Sequence, residues 1–144
     1  MRLILDNETM AQEFFEDCLL LGIVAPIHKH TFCWEINQAL GFCFRIKHEM
    51  EIQLSKKGRD YFFSMYEYKV PNVQLAHYLY KNQHDGEYLL PEVKHFDYLW
   101  LIKGDRPGTE VIDALIKSLK KLDGVQLVTE VKTDKIKNKQ HLVF

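Results

Sequence analysis

Phe42-Cys43-Phe44-Arg45-Ile46-Lys47-His48-Glu49-Met50-Glu51-Ile52-Gln53-Leu54 carries the most regular hydropathy pattern in the chain. Phe42, Phe44, Ile46, Met50, Ile52 and Leu54 alternate with Cys43, Arg45, Lys47, Glu49, Glu51 and Gln53, and only His48 breaks the apolar set. A period of two sends the two sets to opposite faces of extended backbone. The spacing therefore predicts one long antiparallel strand over 42–54, with one face on a core and the other in water.

What surrounds this stretch sets the fold class. Lys57-Gly58 offers a turn, and the aromatic run Tyr61 to Val70 favours a second strand by propensity, making a hairpin. Pro71-Asn72 marks the next turn, Gln74 to Asn82 reads as a third strand, and Phe96 to Lys103 as a fourth that ends at Gly104. Pro107 to Leu122 is predicted helical, because Val111, Ile112, Leu115, Ile116, Leu119 and Leu122 make one apolar stripe between Pro107 and Gly124. A second helix is expected from about His30 to Leu40, with Thr31 as its cap and Gly41 just beyond its end. Met10, Phe14, Cys18 and Leu19 suit a helix, while Leu19 to Val24 before Pro26 reads as a buried strand, and Val125 to Val131 as a last one. Lys132 to Phe144 reads as a Lys-rich tail with an apolar end. This order places two helices on one face of a mostly antiparallel sheet, a two-layer α+β fold in a single domain over 1–144.

Composition narrows the function classes. The chain has 144 residues, 47% hydrophobic, which suits one core. Nineteen Lys and Arg against twenty Asp and Glu leave a formal charge of -1, so no broad electrostatic attraction to nucleic acid or anionic membrane is expected. Cys18, Cys33 and Cys43 are odd in number and never closely paired, which suits a reducing, cytoplasmic setting rather than a disulfide framework. Met1 to Asp6 lacks the apolar core of a secretory signal, and the longest apolar run, Leu19 to Pro26, is shorter than the roughly 20 residues of a membrane-spanning helix.

Leu90-Pro91-Glu92-Val93-Lys94-His95-Phe96-Asp97-Tyr98 holds the nearest thing to an acid/base cluster. A carboxylate of Glu92 or Asp97 beside His95 would fix one tautomer of the imidazole, and Tyr98 would donate a proton. Alternation works against this, because Asp97 and Tyr98 on one strand point to opposite faces. The structural reading has Pro91 setting a turn, Glu92 or Asp97 accepting backbone N–H bonds close to home, and Tyr98 packed with its hydroxyl satisfied. The same segment resembles the motif that names the bacterial IPExxxVDY family, with Leu90 and Phe96 in place of Ile and Val. The likeness extends to Arg2 to Asp6, Leu20 to Ile23, Cys33 to Asn37 and Leu142 to Phe144. It brings no activity, substrate or cofactor with it.

The remaining constellations are thinner. His28, His30 and Cys33 form a His-x-His-x-x-Cys run without an evident fourth ligand, so no metal and no cofactor is expected. Cys43, His48, His77, His84 and His95 are scattered, and only space decides whether any of them converge. The aromatic run from Tyr61 to Tyr68 departs from RNA-stacking strands, since Arg59 and Asp60 stand where an aromatic and a small residue belong. Phosphate-loop, serine-hydrolase and metalloprotease signatures are absent. The expectation is a small binding or protein-interaction module without catalytic activity, pairing with itself through surplus aromatic sheet surface. The rival is a small-molecule binder or enzyme with a pocket between helices and sheet near Pro91 to Tyr98.

Overall fold

Every position of Leu19–Val24 except Gly22 is a branched aliphatic, the composition of a strand covered on both faces. In the computed structural model, which describes residues 18–46, 52–56, 58–84, 86–105, 107–133, 136 and 142, this segment lies inside a sheet. In chain order the described elements are β1 (Cys18–Val24), α1 (Lys29–Leu40), β2 (Arg45–Ile46), β3 (Ile52–Lys56), β4 (Arg59–Phe63), β5 (Met65–Lys69), β6 (Leu75–Lys81), β7 (Gln83–His84), β8 (Glu87–Tyr88), a 3-10 turn (Pro91–Val93), β9 (Tyr98–Gly104), α2 (Thr109–Lys120) and β10 (Leu127–Val131). Six strands pair antiparallel in the order β10-β1-β9-β6-β5-β2, while β3-β4 and β7-β8 are separate hairpins. The fold is α+β, with both described helices on one face of the sheet.

Alternation along the central strands divides the interior in two. Leu19, Leu21, Ile23, Leu79, Tyr98, Trp100 and Ile102 face the helices and pack with Phe32, Cys33 and Ile36 of α1 and Leu119 of α2. Leu20, Tyr78, Tyr80, Leu99 and Leu101 face the other way, where Ile52, Phe63, Leu89, Leu90, Phe96, Ile136 and Leu142 cover them. The aromatic face expected to meet a partner is thus filled by the chain's own hairpin, motif loop and C-terminal segment. Its tyrosines are held accordingly: the Tyr80 hydroxyl donates to the Leu142 carbonyl at 2.8 Å. Gly22 belongs to this face for a steric reason. A Cβ there would stand 2.5 Å from the Phe96 ring, so only a glycine lets the ring approach the central strand.

The stretch 42–54 is not one strand. Phe42 and Phe44 precede β2 and join the helix-side core with Ile46, whereas Ile52 and Leu54 belong to β3 and the opposite core. Residues 47–51, including His48 and Met50, lie outside the described residues. A period of two is local and keeps its sense within each piece, but it carries no information about a change of sheet between them. Phe44 is held without a strand partner, by the Asn37 amide: Asn37 Nδ2 donates to the Phe44 carbonyl at 3.2 Å and its Oδ1 accepts from the Phe44 N–H at 2.9 Å.

Similar corrections apply around it. Tyr61 to Val70 breaks at the buried Ser64 into β4 and β5, which belong to different sheets. α1 starts at Lys29 and is capped by His28, whose Nδ1 accepts from the His30 N–H at 3.3 Å, rather than by Thr31. Gly41 closes it at φ 69°, a left-handed conformation that glycine adopts without a Cβ penalty. α2 is two residues shorter at each end than the expected helix Pro107 to Leu122 and buries only Leu119 fully; Ile112, Leu115 and Ile116 are partly buried. Within the segment expected as a Lys-rich tail, Ile136 and Leu142 are buried.

Candidate functional site

Tyr98 opens β9 between Ile23 of β1 and Lys81 of β6, which brings the ends of three strands and the start of α1 together. The residue before it, Asp97, is fixed by its backbone and its side chain at once. Its N–H donates to the Ile23 carbonyl at 2.8 Å, its carbonyl accepts from the Asn82 N–H at 3.0 Å, and its Oδ2 accepts from the Ala25 N–H at 2.8 Å. The carboxylate therefore does accept a backbone bond, but from a donor 72 residues away rather than close to home. Ala25 is fully buried, so this bond satisfies a donor that water cannot reach.

Around Asp97 lies a cleft of about 560 Å³, also lined by His28, Lys29, Ser64, Lys81 and His84. The Lys29 ammonium donates to Ser64 Oγ at 2.6 Å, tying the first turn of α1 to the break between β4 and β5. Lys81 Nζ sits 4.8 Å from the centre of the Tyr98 ring, on its face. Burial lowers the Lys81 proton affinity, the like charge of Lys29 adds to this, and the Asp97 carboxylate opposes it. The Tyr98 hydroxyl donates to the Ile27 carbonyl. Burial, reinforced by Tyr66, Asp97 and Cys33, raises its pKa, so it stays a protonated donor.

Of the five motif residues, only Asp97 lines the cleft. Tyr98 lies beneath it in the helix-side core. Pro91 opens the 3-10 turn and Glu92 follows it, exposed. His95 is exposed, with its ring 4.1 Å from that of Phe96. The residue that shapes the motif loop is one the sequence did not flag, Asn82. Fully buried, it donates from Nδ2 to the carbonyls of Val93 and Phe96 at 3.2 and 3.0 Å and accepts at Oδ1 from the Leu90 N–H at 2.8 Å. Its one visible signal was an amide at the end of an apolar strand. Lys29, Ser64 and Lys81 gave no signal at all, for nothing in their spacing relates them.

The remaining titratable groups are dispersed. Cys33 is buried in the helix-side core with its thiol toward the Phe44 carbonyl at 3.8 Å, and burial pushes its pKa up to about 11. His30 Nδ1 meets the Tyr66 hydroxyl at 3.0 Å, and its ring lies 5.1 Å from that of His28, which lines the cleft. Among the described residues no three His, Cys, Asp or Glu side chains gather as a metal would require. None of the described helices is long and apolar enough to cross a membrane. A second, apolar cleft of about 270 Å³ separates α2 from the sheet, with Phe42, His77 and Ile102 on one side and Ile112 and Leu115 on the other. His77 accepts from Trp100 Nε1 at 3.0 Å, and burial pushes its pKa down to about 4, so it is neutral there.

Comparison with protein-family models finds none that matches the chain, and comparison with curated proteins finds no match either.

Proposed function

We propose that the protein is a small-ligand binding domain whose cleft beside Asp97 takes a small anionic molecule. The observation that carries this is the charge of the lining. Among the described residues, two ammonium groups, Lys29 and Lys81, and the Ser64 hydroxyl share the cleft with one carboxylate, Asp97, whose Oδ2 is already engaged by Ala25. On a chain of formal charge -1 such a local excess of cation is a selective feature, since charge-assisted hydrogen bonds to an anion are the strong ones. This favours the small-molecule reading over self-association through the sheet, whose aromatic face is occupied from within. The resemblance to the IPExxxVDY proteins stands on Pro91-Glu92 and Asp97-Tyr98 and adds no activity to this reading.

Titration of the isotopically labelled protein with inorganic phosphate and with acetate, followed by amide NMR shifts, tests it. Shifts are expected at Ala25, Lys29 and Ser64. Lys29→Ala weakens phosphate binding by about tenfold to a hundredfold, as the loss of a charge-assisted hydrogen bond of roughly 1.5–3 kcal/mol implies. Unchanged amides around the cleft at saturating phosphate reject the proposal.

A further inference from the structure

The apolar cleft under α2 holds one polar group that its walls do not explain. Among the described residues that line it, the side chains are hydrocarbon apart from the Ser118 hydroxyl and the His77 imidazole. His77 is only 5% exposed and firmly placed. It pairs with Ile102 across β6 and β9, its ring lies along that of Tyr68 with centroids 6.0 Å apart, and Phe42 meets it edge-on at 4.9 Å. An indole N–H can only donate, so the bond from Trp100 Nε1 at 3.0 Å requires a bare Nδ1. The ring proton therefore sits on Nε2, and none of the described residues accepts from it. A nearly buried donor without an acceptor is costly, and an acceptor atom brought in on an apolar body would satisfy it.

We infer that this cleft is a second binding site, taking a small uncharged carbonyl compound whose oxygen accepts from His77 Nε2–H and whose apolar body lies between the sheet and α2. Size sets the upper bound. An apolar cavity of roughly 150 Å³ holds benzene, so the cleft of about 270 Å³ takes one substituted ring. Charge is selected against, because a carboxylate would surrender its hydration to hydrocarbon walls for a single hydrogen bond. The site shares no lining residue with the cleft beside Asp97, so either reading can fail without the other.

Acetophenone is titrated into the isotopically labelled full chain, with cumene, in which an isopropyl group replaces the acetyl group, as the comparison of equal shape. Shifts are expected at the Trp100 indole N–H and at the amides of His77, Ile112 and Leu115, while the indole of Trp34, 62% exposed on α1, stays in place. His77→Phe keeps an aromatic ring and loses the donor, so it weakens acetophenone by about tenfold relative to cumene. Leu115→Trp fills the cleft and removes both ligands. Long-range nitrogen–proton spectra of the imidazole in the unmodified chain give a readout that needs no variant: acetophenone moves the Nε2–H resonance and cumene leaves it nearly unchanged. Absence of shifts at Trp100 with either compound, or equal shifts at Trp34 and Trp100, overturns the site. Equal weakening of acetophenone and cumene by His77→Phe, or a proton on Nδ1 of the free protein, overturns the carbonyl class.

Discussion

Asp97 does two things with one carboxylate, and substitutions separate them. Oδ2 satisfies the buried Ala25 N–H, and the negative charge offsets Lys81 and Lys29 in the cleft. Asp97→Ala leaves the Ala25 donor unpaired, which costs roughly 1–3 kcal/mol, whereas Asp97→Asn keeps an acceptor and loses only the charge. The expected outcome is a clear fall in thermal midpoint for Ala and a smaller one for Asn. Asn also tightens phosphate binding, because it removes a carboxylate that lines the cleft. Equal midpoints for Ala and for the parent would show that Ala25 finds another acceptor.

Among the elements, α2 shows how a stripe read from sequence overstates burial. Six apolar residues at helical spacing predict a uniformly covered face, yet its N-terminal half borders the apolar cleft and only Leu119 is fully enclosed. Cavity cost follows enclosure rather than periodicity, so Leu119→Ala is expected to destabilise by about 2–5 kcal/mol. Ile116→Ala, which removes a partly buried side chain, is expected to cost about 1 kcal/mol, in proportion to the smaller area it takes out of water. Urea denaturation of the two variants side by side checks the ranking. The reverse order would place the helix-sheet centre at Ile116.

At the scale of the molecule, the buried imidazole of His77 links protonation to folding. His77 has a pKa of about 4 in the fold against 6.5 unfolded, because burial disfavours the cation and Nδ1 is occupied by the Trp100 donor. Above pH 6.5 both states are neutral and His77 adds no pH dependence. Between 6.5 and about 4 the unfolded chain binds a proton that the folded chain does not, so stability falls as pH falls. The loss levels off below the folded pKa at roughly 3 kcal/mol. His77→Gln keeps an acceptor for Trp100 and cannot titrate. Its stability is expected to fall less than the parent's between pH 7 and pH 4.5 in denaturant titrations. Parallel curves for the two proteins would mean that His77 is protonated in the fold.

Some of this is legible in the sequence alone. Continuous apolar composition in Leu19 to Val24, alternation or aromatic content in the later strands, and the stripe of 107–122 determine the element types and hence the α+β class, because each is a property of neighbours in the chain. Period also gave the correct parity to Phe42, Phe44 and Ile46 and to Ile52 and Leu54 separately. Only the tertiary structure decided that those two groups serve opposite cores, that the aromatic face is covered by Leu89, Leu90, Ile136 and Leu142, and that Asn82 organises the motif loop. The cleft is of the same kind. Lys29, Ser64, Lys81 and Asp97 share it because strand pairing brings β6 beside β9, and α1 begins where β1 ends, and none of these contacts leaves a periodic trace. Local propensity is written residue by residue, whereas a charge cluster exists only once distant segments have been packed against one another.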